Sequence, residues 1–140
     1  MSAPAAAAAR AAGQAASIPH MGAHALGAAA YAAKAAGLAA PDRPNAISEE
    51  IRWQLGRMSA AVGAALRKLP PVGENSSGPL GPGLLASGLL GTIIREIQAS
   101  LAEPDHSLPA KWQTDGRERA ASARSTMGHR PRRKGTRTQR

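Results

Sequence analysis

Two histidines near the amino terminus have a spacing that could bind a metal. His20 and His24 stand four residues apart, which places two imidazoles on one face of a helix. A zinc-protease helix also needs a glutamate beside the first histidine, but Met21-Gly22 follows instead. A structural zinc site needs four nitrogen or sulfur ligands, and His106 and His129 lie far along the chain. The sequence therefore predicts no metal site.

Other residue types that carry chemistry also lack the required spacing. Glu49 and Glu50 are adjacent, so they point to different sides of a helix and do not flank a scissile bond. The glycines between positions 73 and 83 are not followed by the Lys-Ser or Lys-Thr pair of a phosphate-binding loop. The chain has no cysteine, which excludes thiol nucleophiles and disulfide bonds. We predict no catalytic residue, no cofactor and no enzymatic activity.

A polar and aromatic stripe crosses an alanine-rich segment. Tyr31 lies seven residues beyond His24, so His20, His24 and Tyr31 share one side of a helix that is otherwise mostly alanine. Two interpretations are open. The three side chains either are partly buried and hydrogen-bonded to neighbouring helices, or they contact a macromolecular partner.

The elements that position these residues are predicted to be helices throughout. Alanine fills about half of the first forty positions, and the chain has no Phe, one Tyr and two Trp. We expect an all-α fold, a small alanine-rich bundle or array of about four helices within a domain of residues 1–103. Alanine buries little area, so its core is thin. No run approaches the roughly twenty apolar residues that cross a membrane, and no membrane partner is predicted. The predicted helices cover residues 4–17, 20–36, 45–69 and 84–102.

The third predicted helix carries the clearest pattern. Apolar residues recur at helical steps from Ile47 to Leu69 and form one stripe. The opposite face is small and apolar around a single Trp, whereas a solvated face is usually charged. Either this helix is central and packed on both sides, or the face binds another protein. Its members are Trp53, Gly56, Ala60 and Ala64.

The positive charge of the chain is concentrated at its carboxyl end. The formal net charge is +9, and from Arg119 onward there are eight basic residues and no acidic one. Residues 104–140 have almost no large apolar side chains, so we expect a disordered tail. Such a tail binds polyanions by releasing counterions, without reading base sequence. The nucleic-acid contacts of this alternative function would be Arg130, Arg132, Arg133, Lys134 and Arg137.

Three stretches together resemble a known family. They are RAAGQAA at residues 10–16, HALGAAAYAAKA at residues 24–35, and Trp53-Gln54, with His20 between the first two. The sequence is similar over about residues 5–70 to the putative immunity proteins of bacterial polymorphic-toxin systems, in the immunity-protein-five-like group. Members usually have further helical sequence upstream, so the resemblance implies a chain shortened at its amino terminus.

The resemblance also implies a function. It implies an all-helical cytoplasmic protein that binds and neutralises a co-produced protein toxin. The predicted partner-binding residues are His20, His24, Tyr31 and Trp53.

Deleting residues 104–140 separates the two functions. The deletion should abolish nucleic-acid binding and leave toxin binding intact, since only the tail concentrates positive charge.

Titration of the full chain with duplex DNA should show an affinity that falls steeply with salt and depends little on sequence. Affinity that stayed constant from low to high salt would contradict the counterion mechanism.

Overall fold

A computed structural model describes residues 1–76 and 78–103, and these form helices with no strand. The predicted all-α class is confirmed. The predicted disordered tail, residues 104–140, lies outside the described residues. The α-helices are α1 (Ala3–Ala16), α2 (His24–Ala39), α3 (Ala46–Arg57), α4 (Ala60–Leu66) and α5 (Gly88–Ala102), with a short 3-10 helix at Leu84–Ala86.

Helix α1 begins where local sequence signals place it. The Ser2 hydroxyl accepts a hydrogen bond from the Ala5 amide at 3.4 Å, and Pro4 occupies the first turn, where its missing amide hydrogen costs nothing. Both ends of α1 lie one residue before those of the predicted helix 4–17.

Helix α2 begins and ends later than predicted. Residues 17–23 form consecutive hydrogen-bonded turns, including bonds from the His20 and Met21 amides to the Ser17 carbonyl, so the helix starts at His24 rather than at position 20. Glycine commonly follows the last residue of a helix, so Gly37 predicts an end after residue 36, but it lies inside α2. A Cβ at Gly37 would stand 2.6 Å from Cγ1 of Ile47, so glycine is needed here for close packing against Ile47.

The predicted helix 45–69 is two helices. The backbone of Met58 and Ser59 is extended, with ψ of 132° and 155°, which ends α3 and sets the start of α4. The Ser59 hydroxyl accepts a hydrogen bond from the Val62 amide at 3.3 Å and caps α4. Because of this break the apolar stripe is not buried along its whole length, and Val62 remains 48% exposed.

The mostly polar segment between α4 and the 3-10 helix, residues 67–76 and 78–83, is called the connector below, and it contributes to the core. Val72 and Leu80 are buried, and the Gly73 amide donates to the Leu80 carbonyl at 2.7 Å. The Gln98 side chain on α5 accepts from the Val72 amide and donates to the Pro70 carbonyl. Two hydrogen bonds from one side chain thus hold the start of the connector against α5.

Helix α5 begins later than the predicted helix 84–102. The first residues of the predicted helix, Leu84–Ala86, form the separate 3-10 helix instead. This short helix packs so closely on α5 that a Cβ at Gly91 would stand 2.3 Å from the Ala86 carbonyl oxygen. Helical periodicity in the sequence places one apolar stripe on α5, and the structure buries it in full. Its members are Leu90, Ile94, Ile97 and Leu101.

The core forms around α2, which contacts α1, α3 and α5. Its largest fully buried side chains come from α2, α3, the connector and α5; they are Leu26, Ile51, Leu80, Ile93, Ile94 and Leu101. A partly enclosed apolar gap of about 130 Å³ lies between α2, α3, α4 and α5, lined in part by Leu55, Met58 and Val62. No helix among the described residues is long and apolar enough to cross a membrane.

Candidate partner-binding surface

The four residues predicted to bind a partner occupy different environments. His20 is exposed in the turns before α2, His24 is half-buried at the start of α2, Tyr31 is buried in the middle of α2, and Trp53 is exposed on α3. His20 precedes the helix, so the four-residue spacing does not place the two imidazoles on one helical face. Within residues 1–76 and 78–103, no group of three or more His, Cys, Asp or Glu side chains is arranged to bind a metal.

His24 links the first two helices. Its Nδ1 lies 2.8 Å from Oε1 of Gln14 on α1, within hydrogen-bonding distance. Gly27, one turn further along α2, leaves room for the Gln14 side chain, since a Cβ at position 27 would stand 2.6 Å from the same Gln14 oxygen. His24 therefore serves the packing of α1 on α2, as the first of the two interpretations proposed.

Tyr31 serves the same helix pair. Its exposed fraction is 4%, and the Arg10 guanidinium of α1 lies 5.9 Å from the centroid of its ring. At that distance a cation and an aromatic face attract each other. A side chain this buried offers little area to a partner in this conformation, and the contact of Tyr31 with a partner stays a prediction. His20, His24 and Tyr31 do not form one exposed stripe.

Trp53 is exposed, in contrast to Tyr31. Its exposed fraction is 57%, and the Arg57 guanidinium lies 5.3 Å from the centroid of its ring. Ile51, on the other side of α3, is 2% exposed and packs in the core. Gly56, which shares the outer face of α3, is also exposed. The interpretation that this helix is packed on both sides is therefore wrong.

A shallow groove of about 290 Å³ lies beside Trp53, between the end of α2 and the start of α3. Arg43 and Glu49 form an exposed ion pair at its edge. Sequence periodicity does not predict this groove, because it combines residues from two helices and a turn. Its lining consists of Ala36, Ala40, Arg43, Ala46, Glu49, Glu50 and Trp53.

Trp53 stands on a helix that is held firmly to α2. The Gln54 Nε2 atom donates to the Ala29 carbonyl of α2 at 3.3 Å and to Glu50 Oε1 at 2.9 Å. Together with the burial of Ile51, these bonds fix which side of α3 faces outward. The surface made of Trp53, Gly56, Arg57 and the adjoining groove is called the Trp53 surface below.

One family model matches the amino-terminal part of the chain. Residues 1–61 match the Imm-5 like putative immunity protein family. The resemblance predicted from the sequence is thus confirmed over α1, α2 and α3, and the matched segment of this immunity-protein family contains Trp53. No curated protein and no solved structure matches the chain. The predicted nucleic-acid contacts, Arg130, Arg132, Arg133, Lys134 and Arg137, lie outside the described residues.

The two aromatic residues of α2 and α3 should respond differently to truncation. Tyr31→Ala should lower the free energy of unfolding by about 3–5 kcal/mol, the range for a large buried aromatic side chain. Trp53→Ala should lower it by less than about 1 kcal/mol, since it removes mainly an exposed contact with Arg57. Urea denaturation followed by circular dichroism measures both values. Early melting of Trp53→Ala would mean that Trp53 belongs to the core.

Proposed function

We propose that this protein is an immunity protein that binds and neutralises a co-produced bacterial toxin, without catalysis of its own. The observation that carries the proposal is the match of residues 1–61 to the Imm-5 like putative immunity protein family. We place its action in the cytoplasm, and the cysteine-free sequence fits a reducing compartment.

The Trp53 surface is the proposed contact with the toxin. Tight interfaces draw most of their energy from a few buried aromatic or arginine anchors that are surrounded by contacts of little energy. Trp53 and Arg57 supply one anchor of each kind, and they already lie against each other in the free protein. The neighbouring groove offers alanine side chains on which an apolar side chain of the toxin could pack.

The attachment of α3 to α2 favours this role. A binding residue on a helix fixed by Ile51 and Gln54 loses little conformational freedom when the complex forms. His24 and Tyr31 contribute indirectly, by holding α1 on α2. His20 is exposed, so it stays a candidate contact, although it lies outside the Trp53 surface.

Replacing Trp53 should weaken toxin binding and leave the helices intact. We expect Trp53→Ala to lower the binding free energy by on the order of 2 kcal/mol or more, as is typical of a central aromatic anchor. The partner to use is the product of a toxin gene beside this gene. Co-expression in a bacterium should restore growth with the wild-type chain and not with Trp53→Ala, and calorimetry should give the matching loss of affinity.

Leu84→Ala provides the control. Leu84 is a large apolar residue that is 67% exposed, and it lies outside the segment matched by the family model. Its removal should leave growth and affinity unchanged. If Trp53→Ala still protects the cell and binds as the wild type does, the Trp53 surface is not the toxin contact. If the wild-type chain gives no protection, the proposed function itself fails.

A further inference from the structure

The exposed side of α3 carries its charges in a particular order. Glu49, Trp53 and Arg57 follow one another at steps of four residues, so they lie near one line along the helix. All three are exposed. The line has a carboxylate at one end, an indole in the middle and a guanidinium at the other end, and its ends are about 12 Å apart along the axis.

This order is complementary to itself when reversed. If a second α3 lies antiparallel on the first, Glu49 of each copy faces Arg57 of the other, and the two Trp53 rings meet at the two-fold axis. A two-fold interface of this kind uses the same patch on both subunits. We propose that two copies of this chain associate through α3 in this antiparallel arrangement.

The backbone of α3 allows a close approach. Gly56 lies beside Trp53 on the exposed side, and apart from its chain neighbours and the nearby backbone of α3 nothing lies within 4 Å of the position that its Cβ would take. A missing side chain next to the axis lets the second helix come nearer. The aromatic rings then gain contact area that an alanine or a larger residue at position 56 would reduce.

Within a single copy, Glu49 and Arg57 make contacts that compete only weakly with the proposed contacts between two copies. Arg43 pairs with Glu49, but 65% and 43% of the two side chains are exposed, and an exposed pair of this kind contributes little. Arg57 lies over the Trp53 ring of the same copy. In this position the guanidinium stays close enough to the proposed interface to meet Glu49 of the second copy. Glu50 accepts from Gln54, and Arg52 lies on another side of the helix, away from the line.

Self-association would compete with the proposed toxin contact. The same Trp53 ring is covered in both complexes, so one molecule could not engage a second copy and the toxin at once. This competition rests on the proposed function, whereas the dimer does not. The interface is small and its charges lie at the rim, so we expect a weak dimer whose stability falls as salt screens the ion pairs.

Charge reversal tests the arrangement without any toxin. The full-length protein is examined by sedimentation equilibrium from about 10 μM to about 1 mM at low salt. Glu49→Arg or Arg57→Glu alone places like charges opposite each other twice, and should weaken the dimer roughly tenfold or more. The double variant E49R/R57E restores opposite charges at both positions and should recover most of the lost affinity. Lys68→Glu, an exposed reversal outside the line, should have no effect.

Three results would overturn the proposal. They are a wild-type chain that stays monomeric at every concentration, single variants that dimerise as well as the wild type, and a double variant as weak as the single ones. Circular dichroism of each variant shows whether its helices are retained. Trp53→Ala provides an independent variant, because it leaves both charges in place and should still weaken the dimer.

Discussion

Close approach of other helices to α2 is the constraint on which the rest of this structure depends. Helices α1 and α2 consist largely of alanine and offer little apolar area for each residue, so they gain stability only by packing at short distance. Gly27 admits the Gln14 side chain of α1, and Gly37 admits Ile47 of α3. A Cβ at Gly37 would force Ile47 of α3 to shift, and a Cβ at Gly27 would displace the Gln14 side chain from its place beside His24.

The exposure of Trp53 follows from this arrangement. Helix α3 packs on α2 through Ile51, and no other described helix has more than marginal contact with it. Its remaining side therefore faces outward with one aromatic residue, one glycine and charges of both signs. The break at Met58 and Ser59 adds to this, since it leaves an apolar gap beneath α4 rather than continuing the helix across it. Among residues 1–76 and 78–103, the exposed aromatic ring is thus that of Trp53 on α3, since Tyr31 is buried.

Much of this could be predicted from the sequence where apolar and polar residues contrast. The stripe of α5 and the position of Trp53 opposite Ile51 follow from helical periodicity. In α2 that contrast is missing, because alanine surrounds Tyr31 on every side and the pattern does not show which face is buried. The apolar stripe continues across Ser59 and therefore does not predict the break there, which only the capping hydroxyl of Ser59 marks. The groove beside Trp53 depends on how α2 and α3 pack against each other, and the residue pattern within either helix alone does not predict that packing.

The central claim is that Trp53 is exposed in the free protein and covered in the complex with the toxin. Measuring the solvent accessibility of Trp53 in both states tests this claim most directly. In a Trp112→Phe variant Trp53 is the only tryptophan of the chain, so acrylamide quenching of its fluorescence reports on that one side chain. The account predicts efficient quenching in dilute protein and strong protection once the proposed partner, the product of a neighbouring toxin gene, is added. Poor quenching in the dilute free protein, or equal quenching with and without the toxin, would contradict it.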